Sequence, residues 1–185
     1  SEDIMYYVTW SEGFRPGLLN RPVGSSNADG SYTVKPEVDT DEITNYEFGW
    51  KTITKDGQLR FNGSAFYVDV TGLQSTIFDP SIVNLFFSDN AADATIKGVE
   101  GDFTYFTNIE GLSVAGAFSF LDTEITEKLV PTNDVVVGEE LAFAPGMQGN
   151  VRVRQEWGMT AGNVGHLQVQ FTYSDDSFSD IIEPN

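Results

Sequence analysis

The sequence predicts an all-β fold in which about seven antiparallel strands follow one another up and down. Seven stretches alternate polar and apolar residues one by one, which is the pattern of strands with two different faces. The connections between these stretches alternate just as regularly between long and very short. No helix of useful length is expected, because Gly, Pro and β-branched residues interrupt every candidate period of 3.6 residues.

The first three strands are predicted near residues 4–11, 44–53 and 59–68. The second is the clearest, since Tyr46, Phe48 and Trp50 share one face and the residues between them are mostly polar. It meets the third strand through the tight turn Lys55-Asp56-Gly57, and Asp-Gly between alternating segments is a strong hairpin signal. The first connection, residues 12–43, is long and rich in Gly, Pro, Asn and Ser.

The remaining four strands are predicted near residues 98–105, 112–121, 151–157 and 166–173. Short turns at 108–111 and 158–165 join them in pairs, whereas long connections cover residues 69–94 and about 122–150. The last strand alternates cleanly, with Leu167, Val169 and Phe171 opposite His166 and Gln168. All short turns therefore lie at one end of the predicted sheet, and all long connections lie at the other.

The composition excludes several classes of function. The 185 residues carry a formal charge of -18, and only 10 of them are basic and scattered, so nucleic acid is not an expected partner. There is no cysteine, which rules out a disulfide framework, a thiolate metal site and a thiol nucleophile within this stretch. No run of about 18 apolar residues occurs, but a membrane-spanning strand needs only about 9 to 11 alternating residues.

Two architectures share this alternation. In a soluble β-sandwich the apolar face of each strand packs on another sheet; in a membrane barrel it faces lipid and the polar face lines the lumen. The barrel is favoured by small and mixed-charge residues on the polar faces, by Tyr, Trp and Phe near strand ends, and by the two loop classes. An odd count of seven strands also predicts an unfinished sheet, whose further strands lie elsewhere.

Five segments carry a resemblance to a known family, in the order and spacing found there. They are YVTWSEGFRPGLLN at 7–20, NYEFGWKT at 45–52, FNGSAFYVDVTGLQ at 61–74, NAADATIKGVEGDF at 90–103 and GEELAFAPGMQGNVRV at 138–153. Together they resemble the C-terminal β-barrel of TonB-dependent outer-membrane receptors over nearly the whole chain. None of them is a catalytic motif.

The resemblance implies an up-and-down antiparallel transmembrane barrel of about 22 strands in the outer membrane of a Gram-negative bacterium. Residues 1–185 would be about a third of it, with the plug domain and the remaining strands absent. The implied function is binding of a scarce ligand, such as siderophore-bound iron, cobalamin, haem or an oligosaccharide, and its import with TonB-derived energy. A passive porin and a secreted carbohydrate-binding or adhesive β-sandwich are the alternatives.

The implied partners follow from this placement. They are outer-membrane lipid and lipopolysaccharide, the receptor's own plug domain and missing strands, and the TonB complex through an absent N-terminal region. No cofactor is expected. An enzyme is not expected either, since there is no Gly-x-Ser-x-Gly elbow, no phosphate loop, no His-Glu-x-x-His motif and a single histidine, His166.

Two sets of residues are candidates for function. Arg15, Asn20 and Arg21 in the first connection could bind an anionic or hydroxyl-rich ligand, although the arginines could equally pair with acids of that connection. The second set should face the lumen and brace the wall or dock the plug. It comprises Asn45, Glu47, Lys51, Arg60, Asn62, Glu100, Asp102, Arg152, Arg154 and Glu156.

No specific metal site is expected. Two acidic clusters could attract a hard cation such as calcium, but neither has the spacing of a calcium loop. These clusters are Asp39, Asp41 and Glu42, and Asp175, Asp176 and Asp180. His166 has no second histidine or cysteine near it in the sequence, and is a poor metal ligand for that reason.

Overall fold

The computed structural model describes residues 3–21, 26–54 and 56–178. Within them the strands are β1 (Ile4–Arg15), β2 (Leu18–Leu19), β3 (Glu37–Val38), β4 (Asp41–Ile53), β5 (Leu59–Ile77), β6 (Phe87–Phe106), β7 (Leu112–Lys128), β8 (Met147–Gly158) and β9 (Val164–Ser174). The seven long strands form one antiparallel sheet in the order β1-β4-β5-β6-β7-β8-β9. β2 and β3 form a small separate hairpin inside the first connection.

The all-β, up-and-down prediction is confirmed, because each long strand pairs with the next long strand along the chain. The sheet is open, with β1 and β9 at its two edges. Among the described residues, no helix is both long and apolar enough to cross a membrane.

The register keeps apolar side chains together on one face. Across the sheet, Val8, Phe48, Ala65, Val99, Phe120 and Met147 pair in one continuous row. A neighbouring row contains Tyr6 and Trp50, and Val153 and Val169 pair closer to the short-turn end. These side chains are largely uncovered, with Val8 exposed to 79% and Val169 to 64%. We call this the apolar face.

Aromatic rings on one strand fill the space beside glycines on the next strand. These pairs are Tyr7 with Gly49, Trp50 with Gly63, Phe66 with Gly98, Phe118 with Gly101, Phe103 with Gly116 and Trp157 with Gly165. A methyl group added at Gly116 would lie 2.7 Å from a ring carbon of Phe103 and 2.7 Å from the carbonyl oxygen of Asn150. At these six of the 18 glycines a side chain would collide with a neighbouring ring.

The long connections differ from the sequence-based expectation. Residues 69–94 were expected to be one long connection, but β5 continues to Ile77 and β6 starts at Phe87, so only residues 78–86 connect them. β1 and β7 also extend further, to Arg15 and Lys128. Register shifts near Val70–Gln74 and at Asp93/Ala94 interrupt the alternation in β5 and β6. The bulges interrupt the alternation of polar and apolar residues. Both faces of β6 are also buried between Asp89 and Ala92, so the sequence does not show a strand pattern there.

The packing of rings against glycines predicts a stability effect. Gly116→Ala in the full-length protein should lower the free energy of unfolding by about 1–3 kcal/mol, because the new methyl group overpacks against Phe103 and a backbone carbonyl. Gly13→Ala in β1 is the control, since a methyl group there meets no atom within 4 Å. Denaturant unfolding in detergent measures both. Equal effects of the two substitutions would contradict the proposed packing.

Candidate functional site

The polar face of the sheet lines a cleft of about 790 Å³. One row across it pairs Tyr7, Gly49, Ser64, Glu100, Ser119, Gln148 and Ser174. The next row toward the short turns pairs Met5, Lys51, Asn62, Asp102, Ala117, Asn150 and Thr172. Most of these side chains are small or polar, as is typical of a wall that faces water.

The structure brings part of the predicted lumenal set together. The Tyr7 hydroxyl donates to Glu47 at 2.6 Å, and Lys51 Nζ lies 6.0 Å from the centre of the Tyr7 ring. Asn62 Nδ2 lies 3.2 Å from both carboxylate oxygens of Asp102 on the neighbouring strand. Glu47 and Lys51 thus meet at Tyr7, and Asn62 and Asp102 form a separate pair on the neighbouring strands.

The ion pairing on this wall, among the described residues, lies within one strand and not across neighbouring strands. The ion pair found there joins Arg154 to Glu156 within β8, with Nη2 and Nε of the arginine at 2.6 and 2.8 Å from Oε1. Cross-strand bonds join amides or hydroxyls to carboxylates instead. The carboxylates of the wall thus accept hydrogen bonds mainly from hydroxyl and amide groups. Other arginine side chains of the wall are therefore left without a carboxylate partner in the described part of the chain.

Three acidic residues of the wall lie above its three arginines. Glu47, Glu100 and Asp102 lie in three successive rows in the middle of the sheet, with Lys51 among them. Arg60 and Arg152 lie in the next row toward the short turns, separated by Thr104 and Ala115. Arg154 lies one row further toward the same end. The wall thus presents an acidic band above a basic band.

The polar face becomes apolar toward the long connections. Asn45 lies in a row with Val68, Ile96 and Thr123, and Phe66 and Leu121 occupy the row below. This end of the face therefore carries apolar side chains among its polar ones. Higher still, Val70, Ala94 and Ile125 are at most 4% exposed, and Ile125 packs against side chains of the long connections.

Arg15 is held by an acid of its own connection. Its backbone N–H and its Nε donate to the two carboxylate oxygens of Asp41 at 3.0 and 2.9 Å, and Nη2 contacts the same carboxylate. Nη2 also donates to the carbonyl oxygen of Gln74 at 3.0 Å. Asp41 is 2% exposed, so this pairing joins the ends of β1, β4 and β5.

Asn20 and Arg21 do not join Arg15 in one site. Asn20 binds the backbone of Ser88 through both side-chain atoms, at 2.6 and 2.8 Å, and so fixes the first connection to the start of β6. Arg21 is exposed. A role of these three residues in ligand binding stays a prediction.

The three long connections pack into one hydrophobic cluster, which we call the cap. Tyr32 and Val34 come from the first connection, Ile82 and Val83 from the second, and Val130, Val135 and Leu141 from the third. They pack on Ile77, Phe87, Ala91, Ala92 and Ile125 at the ends of β5, β6 and β7. Burying each Val or Ile side chain contributes about 1.5–3 kcal/mol. The cap is therefore the most stably packed part of the described chain.

Buried polar side chains hold the cap together, and the sequence analysis did not identify them as functional. Asp79 accepts hydrogen bonds from Ser81 N at 2.8 Å and from Thr132 Oγ1 at 2.8 Å, which joins the second connection to the third. Asp89 accepts one from the Tyr32 hydroxyl and lies 3.9 Å from Lys35 Nζ. The Asp-Pro-Ser sequence at 79–81 is a turn signal that could have identified Asp79.

The environment changes two pKa values in the cap. Burial raises the pKa of Asp79, but hydrogen bonds from Ser81, Thr132 and the Asn133 backbone outweigh it, so that the net pKa is lowered. Burial and the hydrogen bond to Asp89 raise the pKa of Tyr32. Both groups therefore keep their ordinary neutral-pH forms, a charged carboxylate and a neutral phenol.

The acidic clusters do not form a metal site in the described part of the chain, where no three His, Cys, Asp or Glu side chains converge. Asp41 is occupied by Arg15. Asp175 and Asp176 are exposed beyond β9, and Asp180 lies outside the described residues. His166 is exposed on β9, opposite Glu156.

Comparison with known proteins gives a family match over residues 1–183, to the model described as TonB dependent receptor-like, beta-barrel. No curated protein sequence matches the chain. Among solved structures, the ferric preacinetobactin receptor BauA of Acinetobacter baumannii is 19% identical with a TM-score of 0.66, and the match covers 98% of this chain and 25% of that one.

Two further receptors have the same fold. The ferric yersiniabactin uptake receptor FyuA of Yersinia pestis is 16% identical with a TM-score of 0.62, over 93% of this chain and 23% of that one. The pyoverdine outer membrane receptor FpvA of Pseudomonas aeruginosa is 14% identical with a TM-score of 0.55, over 93% and 26%. The chain thus spans about a quarter of the length of each of these proteins.

The lowered pKa of Asp79 predicts a pH dependence of cap stability. The pKa of Asp79 is lower in the folded state than in the unfolded chain, where it is about 3.9, so the charged carboxylate stabilises the folded state above that pH. This stabilisation is lost as the pH falls through the folded-state pKa of Asp79. Asp79→Asn should therefore lower the free energy of unfolding most at neutral pH, and the difference from wild type should shrink below about pH 4. Urea unfolding at several pH values measures this. Asp176→Asn, at an exposed carboxylate, is the control, and an Asp79→Asn effect that grows on acidification would contradict the assignment.

Proposed function

We propose, since the chain belongs to the TonB-dependent receptor β-barrel family, that it forms part of the wall of an outer-membrane receptor which imports a scarce ligand with TonB-derived energy. The observation that carries this proposal is the two-faced sheet, apolar on one side and lined by a polar cleft on the other. In a barrel the apolar face lies against lipid and the polar face lines the lumen. The protein then belongs in the outer membrane of a Gram-negative bacterium.

The uncovered apolar face argues against the β-sandwich alternative. A sandwich would bury this face against a second sheet. In the described residues the only other sheet is the short β2–β3 hairpin, and residues such as Val8 and Phe171 remain 79% and 67% exposed. Lipid is the partner that such a continuous apolar surface needs, and aromatic side chains such as Trp10 and Trp157 near its two ends are typical of membrane interfaces.

We propose siderophore-bound iron as the ligand class. The support is that the solved relatives described above are named as receptors of ferric siderophores or of pyoverdine. The function is transport, without chemistry on the ligand.

The charged bands on the wall support a second part of the proposal, docking of the receptor's plug domain. Arg60 and Arg152 have no carboxylate partner within the described residues, and the small side chains of Thr104 and Ala115 lie between them. An acidic patch of the plug would fit this basic band, and basic groups of the plug would fit Glu100 and Asp102 above it.

A growth test examines the transport proposal. A strain that lacks its own siderophore receptors, complemented with the full-length gene, should grow under iron limitation on at least one ferric siderophore. Growth should disappear when TonB is deleted, because import needs energy from that complex. Growth that persists without TonB would favour a passive porin.

Charge reversal examines plug docking. Arg60→Glu together with Arg152→Glu should abolish energised uptake and admit large antibiotics that the outer membrane normally excludes, because a repelled plug leaves the lumen open. Arg60→Lys with Arg152→Lys keeps the charge and should retain both uptake and the barrier. Antibiotic sensitivity and uptake of labelled iron measure the two effects. A sealed barrier and normal uptake in the double Glu variant would contradict docking at this band.

A further inference from the structure

We infer that a polar cleft between the first connection and β4, β5 and β6 binds a neutral sugar unit of the glycolipid that surrounds the receptor. The cleft has a volume of about 580 Å³, and sites for small molecules have volumes of about 300–1,000 Å³. The assignment of the sugar to a membrane lipid rests on the proposed outer-membrane function. The assignment of a saccharide site does not, because it follows from the groups that line the cleft.

The register of β4 and β5 places the cleft on the same side of the sheet as the apolar face. Glu42 pairs with Thr71 and Tyr46 pairs with Tyr67, and no register shift separates the two pairs. Every second residue of a strand shares a face, so Glu42 and Thr71 lie on the side of the tyrosines, about 13 Å further along the strands. Both line the cleft, whereas their neighbour Asp41 on the opposite face does not. The cleft therefore opens away from the lumen.

Hydrogen bonds fix one side of the cleft. Asn90 Oδ1 accepts from Asp39 N at 2.9 Å, and Asn90 Nδ2 donates to the carbonyl oxygens of Asp39 and Gly72 at 3.0 and 2.6 Å. Asp89 is 1% exposed and accepts from Asn90 N at 2.8 Å and from the Tyr32 hydroxyl. Asn90 and Asp89 thus have their partners within the chain, and they hold the cleft in shape.

Other groups of the cleft are free to bind a ligand. Four exposed side chains that line it make no hydrogen bond through their carboxylate or hydroxyl oxygens within the described residues, and they are Asp39, Thr40, Glu42 and Thr71. Lys35 also lines the cleft, and its Nζ is 3.9 Å from the nearest carboxylate oxygen, which belongs to Asp89. The free groups are therefore two acceptors, two hydroxyls and a loosely paired ammonium.

This combination favours a neutral polyol over an ion. Asp39 and Glu42 repel an anion, and Lys35 repels a cation. A sugar hydroxyl both donates and accepts, so neighbouring hydroxyls of one ring can bind a carboxylate, a threonine hydroxyl and an ammonium. Leu129 also lines the cleft and is 43% exposed, which provides an apolar contact for the C–H groups of a sugar ring.

The position of the cleft decides the source of the sugar. A ligand in transit passes through the lumen, on the other side of the sheet. The apolar rows below the cleft lie against lipid in a barrel, and the long connections face the cell exterior. The outer leaflet of a Gram-negative outer membrane consists of lipopolysaccharide, whose sugars extend outward from the membrane surface. These sugars reach the level of Glu42 and Thr71.

Calorimetric titration of the purified full-length receptor in detergent tests the cleft. The probe is the core oligosaccharide of lipopolysaccharide without its acyl chains, so that the apolar face does not contribute. Asp39→Ala with Glu42→Ala should weaken binding at least tenfold, because two acceptors of sugar hydroxyls are lost. Glu12→Ala with Glu124→Ala is the matched control, since both carboxylates are exposed on the same face outside the cleft, and it should change binding less than twofold.

Two results of this titration would overturn the site. One is the absence of saturable binding to the wild-type receptor, and the other is equal binding by the Asp39/Glu42 variant and the wild type.

Further titrations examine the kind of ligand. Binding of a neutral sugar should persist in EDTA and at high salt, because neither a bridging cation nor a phosphate contact is needed. Loss of binding under either condition would overturn the neutral sugar. Maltohexaose, a soluble saccharide unrelated to lipopolysaccharide, should bind at least tenfold more weakly than the core oligosaccharide. Equal binding of the two would overturn the assignment to the glycolipid.

If the wild-type receptor imports none of the siderophores tested, the proposed transport function fails while the titration still decides the cleft. If import is normal and the core oligosaccharide does not bind, the cleft assignment fails and the transport proposal stands.

Discussion

The hydrogen-bond register that joins the seven long strands determines the environment of every side chain in the wall. Because side chains alternate with a period of two, a slip of one residue would move Arg152 onto the apolar face and Val153 into the polar cleft. The apolar rows and the polar cleft therefore exist only while the register is kept. The short turns, such as Thr54 N bonding Leu59 O at 2.9 Å, and the rings that pack on glycines fix that register from one strand to the next.

The chain combines two kinds of stability along the same strands. In the wall no described residue covers the apolar rows, which remain exposed in the protein alone; in a barrel such a face lies against lipid. At the long-connection end, β5, β6 and β7 continue beyond the wall and carry a hydrophobic core of ordinary soluble type, with Ile77, Phe87 and Ile125 at its centre. The exposed apolar rows of the wall and the buried core of the cap thus lie along the same strands.

The parts that the sequence predicted are those in which one physical pattern decides the structure. Strict alternation identified all seven long strands, and the Asp56-Gly57 turn fixed one hairpin. The upper half of β6 was not predicted from the sequence. Asp89, Asn90, Ala91 and Ala92 are all buried, so polar and apolar residues do not alternate between an exposed and a buried face there. Arg15 was identified as a candidate, but its partner Gln74 lies 59 positions away, and only the fold brings them together.

The central claim is that the polar face lines a water-filled lumen and the apolar face contacts lipid. Single cysteines along β8 test it directly, at Val151, Arg152, Val153 and Arg154, by labelling intact cells or outer-membrane vesicles with a small water-soluble maleimide. The account predicts rapid labelling at 152 and 154 and slow labelling at 151 and 153. Equal labelling of all four positions, or the opposite alternation, would contradict it.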